Sequence, residues 1–268
     1  MIIDVELKEA IKRVKQLFDS EGIKSCIVGA FVPYLEIALK LEISSRQTMD
    51  IDYVVNINSW KRFEEVKSKL TQYGFRKTRY PHRLEFGEHS IIDIIPYSRK
   101  IVKNGKLEWP NDGFVMHVGG LDRLFEDSKE LTVFDNVKWM VAPIPIFILN
   151  KISAYEDRKL AKDMLDIFFC LKNYEGDVNS DARFEVIGDF EDLVWEFAGA
   201  YVLGKESSRY LNKNISGIIN KFLNRFISFE VPTIDIVLRE EGYVDIDDKM
   251  RQRVFDLLMW FKKGLERK

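Results

Sequence analysis

The sequence predicts a protein of the α+β class, in which a mixed α/β half precedes a helical half. Short apolar runs typical of strands alternate with helical patterns through residues 5–142. Strand patterns stop after Pro143 and Pro145, and the rest of the chain has helical periodicity. A length of 268 residues suits one or two domains. We therefore expect one domain at 1–142 and a second, helical domain at 143–268.

The elements before residue 75 can be placed in order. An amphipathic helix is expected at 5–18, with Asp4 as its N-cap. The apolar run KSCIVGAF contains a glycine turn and leads into the helical stretch FVPYLEIALKLE. MDIDYVV is typical of a strand, and the helix that follows it begins near Ser59 and stops at Gly74.

Hairpins are expected between Gly74 and the prolines. HRLEF and SIIDIIPY form the first, around a short GEH connection. Asn104-Gly105 is the strongest turn signal for a two-residue hairpin and lies within KIVKNGKLEW. LTVFDNVKWMV forms another around Asp135-Asn136.

The second half contains helical patterns. The stretch IFILNKISAYEDRKLAKDMLDIFFCLKNY predicts one long helix, or two helices with a break near Arg158. Further helices are expected at 190–203, 215–227 and 247–266.

Charge and composition exclude several classes of function. Lys and Arg number 41 against 43 Asp and Glu, a formal net charge of -2, which argues against coating nucleic acid or anionic membrane through bulk charge. This balance remains compatible with a local basic groove. No run approaches the roughly 18 apolar residues of a membrane span, and no signal peptide is expected. Cys26 and Cys170 lie in apolar stretches, which predicts buried reduced thiols and a cytoplasmic location.

The most informative segment is the strand pattern MDIDYVV. Side chains at i and i+2 of a strand project to the same face, so Asp50 and Asp52 are expected together. Two carboxylates this close repel each other unless a cation neutralises them. Such oxygen ligands suit Mg²⁺, which completes its shell with water and substrate phosphates. The alternative is an accidental D-x-D pair on a solvent-facing strand.

A third carboxylate, Asp93, lies within the apolar strand pattern SIIDIIP. An acid inside such a run needs a partner. One candidate partner is a metal shared with Asp50 and Asp52, and the other is a nearby arginine such as Arg83. Both alternatives stay open for Asp93 alone, but the three acids and the glycine turn together favour a metal site.

The glycine turn precedes the acids in the sequence. Gly29 lets the backbone approach a ligand, and the helix after it offers N–H groups to a phosphate. A purely structural turn is the alternative. Arg46 is a candidate for binding a phosphate oxygen or for pairing with Asp50, and Thr48 either supports the same site or simply begins the strand.

A stripe of cations is expected on the long helical stretch. Three cations and one small residue recur at spacings of three, four and four and would share one helical face: Lys151, Ala154, Arg158 and Lys162. Such a stripe suits a triphosphate, and a solvated charged face is the alternative. Asp163 and Asp166 are expected to orient these cations or to pack at a helix contact.

Taken in order, these motifs resemble a known family. They are V-G-A at 28–30, R-x-T-x-D-x-D at 46–52, the acid in IIDIIPY at 91–97, EWP at 108–110 and K-x-x-A-x-x-x-R-x-x-x-K-D-x-x-D at 151–166. The combination resembles the nucleotidyltransferase superfamily of the DNA polymerase β type. More narrowly, it is similar to the predicted nucleotidyltransferases related to the abortive-infection toxin AbiEii. The similarity spans about residues 25–174, and A-G-A-Y-V-L-G at 198–204 also matches that group.

The resemblance implies a fold and an activity. The fold would be a nucleotidyltransferase palm, a mixed sheet with flanking helices, followed by an α-helical domain, with an NTP bound between them. Asp50, Asp52 and Asp93 would bind Mg²⁺, as in two-metal phosphoryl transfer. The reaction would move an NMP from an NTP to an acceptor hydroxyl on an RNA such as a tRNA end, on a protein or on a small molecule. A toxin of this group would have a cognate antitoxin as its partner.

The resemblance also assigns the phosphate contacts. Gly29 and the amide of Ala30 would hold the outer phosphates. Lys151 and Arg158 would neutralise the leaving pyrophosphate, with Lys162 a further candidate. In the superfamily a Ser or Gly follows the glycine, and here Ala30 removes a hydroxyl contact.

Two other functions remain as alternatives. The first is a non-catalytic, nucleotide-binding regulatory protein with the same fold, which the alanine at position 30 favours. The second is a metal-dependent nuclease, which would also use clustered acids and which the glycine turn disfavours.

Overall fold

The structure is a computed structural model that describes residues 3–45, 48, 50–110, 113–176, 181–227 and 231–267. By their mutual contacts the residues group into two units. The first contains the chain up to Val118 together with Arg123–Pro143, and the second contains Gly119–Asp122 together with the chain from Ile144 onward. Within the described residues, the first unit combines helices with sheet and the second is helical.

The first unit contains a seven-stranded sheet and a small two-stranded sheet. Its strands are β1 (Ser25–Val28), β2 (Asp50–Val55), β3 (Arg76–Lys77), β4 (Arg83–Phe86), β5 (Ser90–Pro96), β6 (Lys106–Glu108), β7 (Val115–His117), β8 (Lys129–Phe134) and β9 (Val137–Val141). Its helices are α1 (Val5–Ser20), α2 (Phe31–Pro33), α3 (Leu39–Leu41), α4 (Trp60–Gln72) and α5 (Leu124–Asp127), and a π-helical turn (Tyr34–Ala38) joins α2 to α3.

The large sheet is mixed, as predicted. Its strand order is β3-β4-β5-β2-β1-β9-β8. Strand β2 is parallel to β5, and β1 is parallel to β9. The other neighbouring strands are antiparallel. Strand β2 therefore lies in the interior of the sheet, with β1 on one side and β5 on the other.

Helix α1 forms as its pattern predicts and covers one face of the sheet. The carboxylate of Asp4 accepts a hydrogen bond from the backbone N–H of Leu7 at 2.8 Å, which caps the helix. The Phe18 ring lies edge-on to Tyr53 with 6.0 Å between centroids, and Tyr53 contacts Trp139 at 4.7 Å. Because side chains alternate along a strand, this packing leaves Asp50 and Asp52 on the opposite face of β2.

The prediction of a hairpin around Asn104-Gly105 is only partly correct. Both residues have positive φ, 50° and 71°, as a two-residue turn requires. The turn closes a single bridge between Lys103 and Lys106. Strand β6 pairs instead with β7, which the sequence patterns did not reveal. The hairpins β4–β5 and β8–β9 are confirmed.

The second unit contains the helices α6 to α12. They are α6 (Ile144–Arg158), α7 (Ala161–Asn173), α8 (Ala182–Val186), α9 (Trp195–Ser207), α10 (Lys213–Ile227), α11 (Val231–Glu240) and α12 (Asp248–Glu266), with a short 3₁₀ turn at Ser208–Tyr210. The break expected near Arg158 is present. The sequence patterns missed α8 and α11. In the part of the chain that the structure describes, no helix is both long and apolar enough to cross a bilayer.

Helices α9 and α12 pack closely through glycines. A Cβ atom at Gly204 would collide with the backbone carbonyl of Phe261, and one at Gly264 would collide with that of Tyr201. Neither position has room for a side chain larger than hydrogen, because the two backbones touch there. Gly204 ends the A-G-A-Y-V-L-G motif, so helix packing explains this part of the motif.

Candidate functional site

Three carboxylates lie on two neighbouring strands of the first unit. The parallel register of β2 and β5 pairs Asp52 with Asp93. Asp50 is two residues before Asp52 and therefore projects from the same face. Asp93 is buried, with 5% of its surface exposed, whereas the side chain of Asp50 is 33% exposed. The fold thus brings together the three acids that the sequence predicts.

The turn at Gly29 lies directly against Asp52. Antiparallel pairing of β1 and β2 places Val28 opposite Asp52, and the chain turns at the next residue. Gly29 has a φ of 70°, which favours glycine. A Cβ atom at this position would collide with the carboxylate of Asp52. The turn therefore needs glycine for two independent reasons, its backbone conformation and the acid packed over it.

The chain enters its helix directly after this turn. Gly29 accepts a hydrogen bond from the backbone N–H of Val32 at 3.0 Å, and Ala30 is in the right-handed helical conformation, with a φ of -63°. Gly29 and Ala30 thus lie beside the acids.

Arg83 binds the carboxylate of Asp93 with two hydrogen bonds. Its Nε donates to Oδ1 at 2.8 Å and its Nη2 donates to Oδ2 at 2.6 Å. The same Nη2 lies 3.8 Å from Oδ2 of Asp50. Hydrogen bonds to Asp93 raise the pKa of Arg83, so the guanidinium stays charged. The arginine partner considered for Asp93 is therefore present.

Thr48 lies at the entrance of β2. Its hydroxyl donates a hydrogen bond to the carboxylate of Asp50 and lies 3.2 Å from the backbone carbonyl oxygen of the same residue. Thr48 thus restrains the Asp50 side chain. Arg46 lies outside the described residues.

The carboxylates fit magnesium in part. Among the described residues, no group of three or more His, Cys, Asp or Glu side chains is arranged to hold a metal ion. At this site Arg83 donates one hydrogen bond to each carboxylate oxygen of Asp93. Asp50 and Asp52 remain a pair of hard oxygen donors, which suits an ion that takes one or two carboxylates and substrate phosphates. Coordination by Asp93 stays a prediction, since it requires Arg83 to share this carboxylate.

The predicted cations Lys151 and Arg158 are neutralised by acids of the second unit. Lys151 Nζ lies 2.7 Å from Asp166 and 3.3 Å from Asp163. Arg158 forms two hydrogen bonds with Asp163, at 2.7 and 2.6 Å. Burial raises the pKa of Asp163, but the hydrogen bonds from Arg158 and the charge of Lys151 outweigh it, and the net pKa is lowered. The expectation that the two acids orient these cations is confirmed.

The prediction that Lys162 shares a helical face with Lys151 and Arg158 is wrong. Helix α6 ends at Arg158, Lys159 has a φ of 53°, and Lys162 belongs to α7. The helical repeat does not continue through a left-handed residue, so the spacing of four no longer fixes the direction of the side chain. Lys162 is exposed.

The hairpin sequence contains a signal that Arg83 lies opposite Asp93. A short connection between HRLEF and SIIDIIPY pairs Phe86 with Ser90, and counting outward from this pair places Arg83 opposite Asp93. The register therefore supplies the arginine partner expected for Asp93.

Comparisons with known proteins give matches in structure only. No protein-family model matches the chain, and neither does any curated protein. The antibiotic-resistance factor ANT(2″)-Ia in complex with adenylyl-2″-tobramycin matches at 14% identity and a TM-score of 0.39, over 59% of this chain and 84% of that chain. The cyclic dinucleotide synthase CdnE of Elizabethkingia meningoseptica matches at 12% identity and a TM-score of 0.28, over 98% and 93%. A tRNA-processing enzyme has the same identity and TM-score, over 99% and 90%.

Proposed function

We propose that this chain is a magnesium-dependent nucleotidyltransferase, which moves an NMP from an NTP to an acceptor hydroxyl and releases pyrophosphate. One observation carries the proposal. Asp50 and Asp52 project from one face of β2, and Asp52 packs over the glycine turn that leads into a helix. This arrangement places hard oxygen ligands beside a backbone that can approach phosphates. The motif resemblance described above supports the same activity.

The site residues of the first unit have separate roles in this proposal. Asp50 and Asp52 hold the magnesium triphosphate, and the backbone at Gly29 and Ala30 binds its outer phosphates. Magnesium, when bound, supplies positive charge to the phosphoryl oxygens. The acceptor oxygen forms a bond to the α-phosphorus while the bond to the bridging oxygen breaks and pyrophosphate leaves. Asp93 accepts the hydroxyl proton, and Arg83 orients its carboxylate.

In the second unit we propose that Lys151 and Arg158 neutralise charge on the leaving pyrophosphate. Lys151 is held in place by Asp163 and Asp166, which supports a fixed position for its charge. Arg158 has a side chain that is 46% exposed and so reaches solvent while bonded to Asp163. Lys162, which is exposed, is a further candidate for binding the phosphates.

The test is label transfer from each α-³²P NTP, with Mg²⁺ and total RNA, for the wild-type chain and two variants. Asp52→Asn removes a charge from the proposed site. Asp135→Asn is the matched control, because Asp135 lies in the exposed β8–β9 turn with a φ of 44°, which asparagine also adopts. We expect transfer by the wild type and by the control, and at least about 100-fold less transfer by the Asp52 variant. No transfer by the wild type, together with no NTP binding by calorimetry, would overturn the proposal.

A second candidate function is a non-catalytic nucleotide-binding protein with the same fold. Arg83 supports it, because its guanidinium neutralises Asp93 and approaches Asp50 in the way that a metal ion otherwise would. Ala30 supports it too, since it lacks the hydroxyl of the superfamily serine. NTP binding by calorimetry without label transfer to RNA, protein or small-molecule acceptors would favour this candidate.

The AbiEii-like resemblance extends the proposal to a toxin with a cognate antitoxin. The motifs between residues 25 and 174 support it. Growth arrest on expression of the wild type but not of the Asp52→Asn variant, reversed by a neighbouring gene, is the expected result. Normal growth with both chains would exclude the toxin role and leave the enzymatic proposal intact.

A further inference from the structure

The segment Arg76-Lys77-Thr78-Arg79-Tyr80-Pro81-His82-Arg83 is strongly basic. Four of its eight residues are lysine or arginine, and it contains no acid. It begins on β3, the edge strand of the large sheet, and ends at the start of β4. A net charge near neutrality for the whole chain therefore conceals a basic segment in the first unit, in which Arg76 lies 3.8 Å from Glu85 on the neighbouring strand.

Aromatic rings lie beside these cations. Tyr80 and Phe114 are 44% and 47% exposed, although both are large side chains. His82 lies between them: its ring is stacked on Phe114 with centroids 6.2 Å apart and an interplanar angle of 26°, and it lies 6.1 Å from Tyr80 at 37°. Behind His82, the buried Trp109 packs at 5.7 Å. We call Tyr80, His82 and Phe114 the aromatic shelf.

Two guanidinium groups lie over the ring of Tyr80, at the exposed end of the shelf. Arg79 lies over the Tyr80 ring at 4.8 Å and donates a hydrogen bond to its hydroxyl at 2.7 Å. Arg83 lies over the same ring at 5.8 Å. Among the described residues no carboxylate pairs with Arg79, whereas Lys77 lies 3.6 Å from Glu64. Arg79 therefore presents positive charge to solvent beside an exposed ring.

The shelf is continuous with the proposed reaction centre. The guanidinium of Arg83 that lies over Tyr80 is the same group that binds Asp93 and approaches Asp50. The side chain of Arg83 thus lies between a molecule bound at Tyr80 and the carboxylates.

We propose that the aromatic shelf and Arg79 bind a single-stranded nucleic acid, which is the acceptor. Rings of this kind stack with any base, and flanking cations bind the phosphates between the bases. The inference rests on the proposed function, because it names the class of acceptor for that reaction. RNA and DNA share this chemistry, and the experiment includes both.

The experiment measures binding of a fluorescein-labelled oligonucleotide of about 12 nucleotides, as RNA and as DNA, by anisotropy. It uses the whole chain with EDTA and without NTP, so binding is measured apart from catalysis. Tyr80→Ala and Phe114→Ala should each weaken binding about 5- to 100-fold. Tyr80→Trp should retain it. The matched control is Phe184→Ala, at a ring that is 64% exposed in the second unit, and it should bind as the wild type does.

The salt dependence tests the phosphate contact. Arg79→Gln should lower the slope of log affinity against log salt by about 0.7, the value for one phosphate contact on a single strand. Lys138→Gln, an exposed cation on β9 towards the other edge of the sheet, should leave the slope unchanged. Tighter binding of RNA or of DNA identifies the natural acceptor, and equal binding also supports the proposal.

Three results would overturn the inference. In the first, the wild type binds no oligonucleotide. In the second, the Tyr80→Ala variant and the Phe184→Ala control lose the same amount of oligonucleotide affinity. In the third, Tyr80→Ala loses NTP affinity while its oligonucleotide affinity is unchanged. The last assigns the shelf to the incoming nucleotide. Failure of the proposed function gives a different pattern, in which oligonucleotide binding persists but no label is transferred.

Discussion

The carboxylate of Asp52 occupies the space that a Cβ atom would take at Gly29. Strands β1 and β2 are paired at this point, so the backbone of the turn and the side chain of the acid are held against each other. A phosphate bound at the turn would therefore lie next to a carboxylate, and the two negative charges would need a cation between them. The glycine motif and the acid motif are therefore in direct contact, although they are well separated in the sequence.

Gly29→Ala should destabilise the first unit by about 2–4 kcal/mol, because the methyl group adds a collision with Asp52 to the cost of a positive φ. Gly22→Ala is the matched control: Gly22 has a φ of 61°, but a Cβ atom there has no neighbour within 4 Å. We expect the control to cost about 1 kcal/mol. Chemical denaturation of both variants measures the difference, and equal losses would contradict the packing of Asp52 over the turn.

Arg83→Gln should destabilise the chain in EDTA by about 1–3 kcal/mol, because it leaves the buried Asp93 without its charged partner. Mg²⁺ should then raise the melting temperature of the variant more than that of the wild type, since the three carboxylates have lost their cation. Thermal unfolding with and without Mg²⁺ checks this. The double variant Arg83→Gln/Asp93→Asn should recover stability in EDTA, and no recovery would indicate that Arg83 acts through other contacts.

Glu6 should make stability depend on pH in the acid range. Its carboxylate accepts hydrogen bonds from the backbone N–H groups of Glu88, His89 and Ser90 at 2.7–2.9 Å, which lower its pKa to about 2. The folded pKa is below the unfolded value of 4.5, so the stabilisation is complete above pH 4.5 and is lost as the pH falls towards 2.

Glu6→Gln should flatten this dependence. The measurement is urea unfolding at a series of pH values, with Glu9→Gln as the control, because Glu9 forms an exposed i,i+4 pair with Arg13. A Glu6 variant whose stability falls as steeply as that of the wild type between pH 4.5 and 2 would disprove the assignment.

Asp163→Asn should destabilise the second unit by about 3–5 kcal/mol, because Lys151 and Arg158 lose the charge that both share in a fully buried position. Lys162→Ala should change stability by less than about 0.5 kcal/mol, since this side chain is exposed. Denaturant unfolding compares the two. A loss below about 1 kcal/mol for the Asp163 variant would show that the cations find other partners.

Much of the fold follows from local patterns. Helix α1 and its cap at Asp4, strand β2, the stop at Gly74 and the hairpin β4–β5 all form where apolar periodicity and turn residues predict them. Strands β3 and β7 and helices α5, α8 and α11 escaped prediction because their short patterns lack strong boundary signals. The left-handed residue Lys159 also escaped, since lysine carries no sequence preference for that conformation.

The sequence by itself determined that Asp50 and Asp52 share a face, because alternation along a strand is a local property. It also located the glycine turn. Only the tertiary structure decided which groups surround them. Strand pairing places Asp93 opposite Asp52, lays Asp52 over Gly29 and brings Arg83 between the acids and the Tyr80 ring. The physical reason is that the hydrogen-bond register between strands brings together residues that are distant in the chain. Local periodicity gives the face on which a side chain lies, but it does not give the residue opposite it on the next strand.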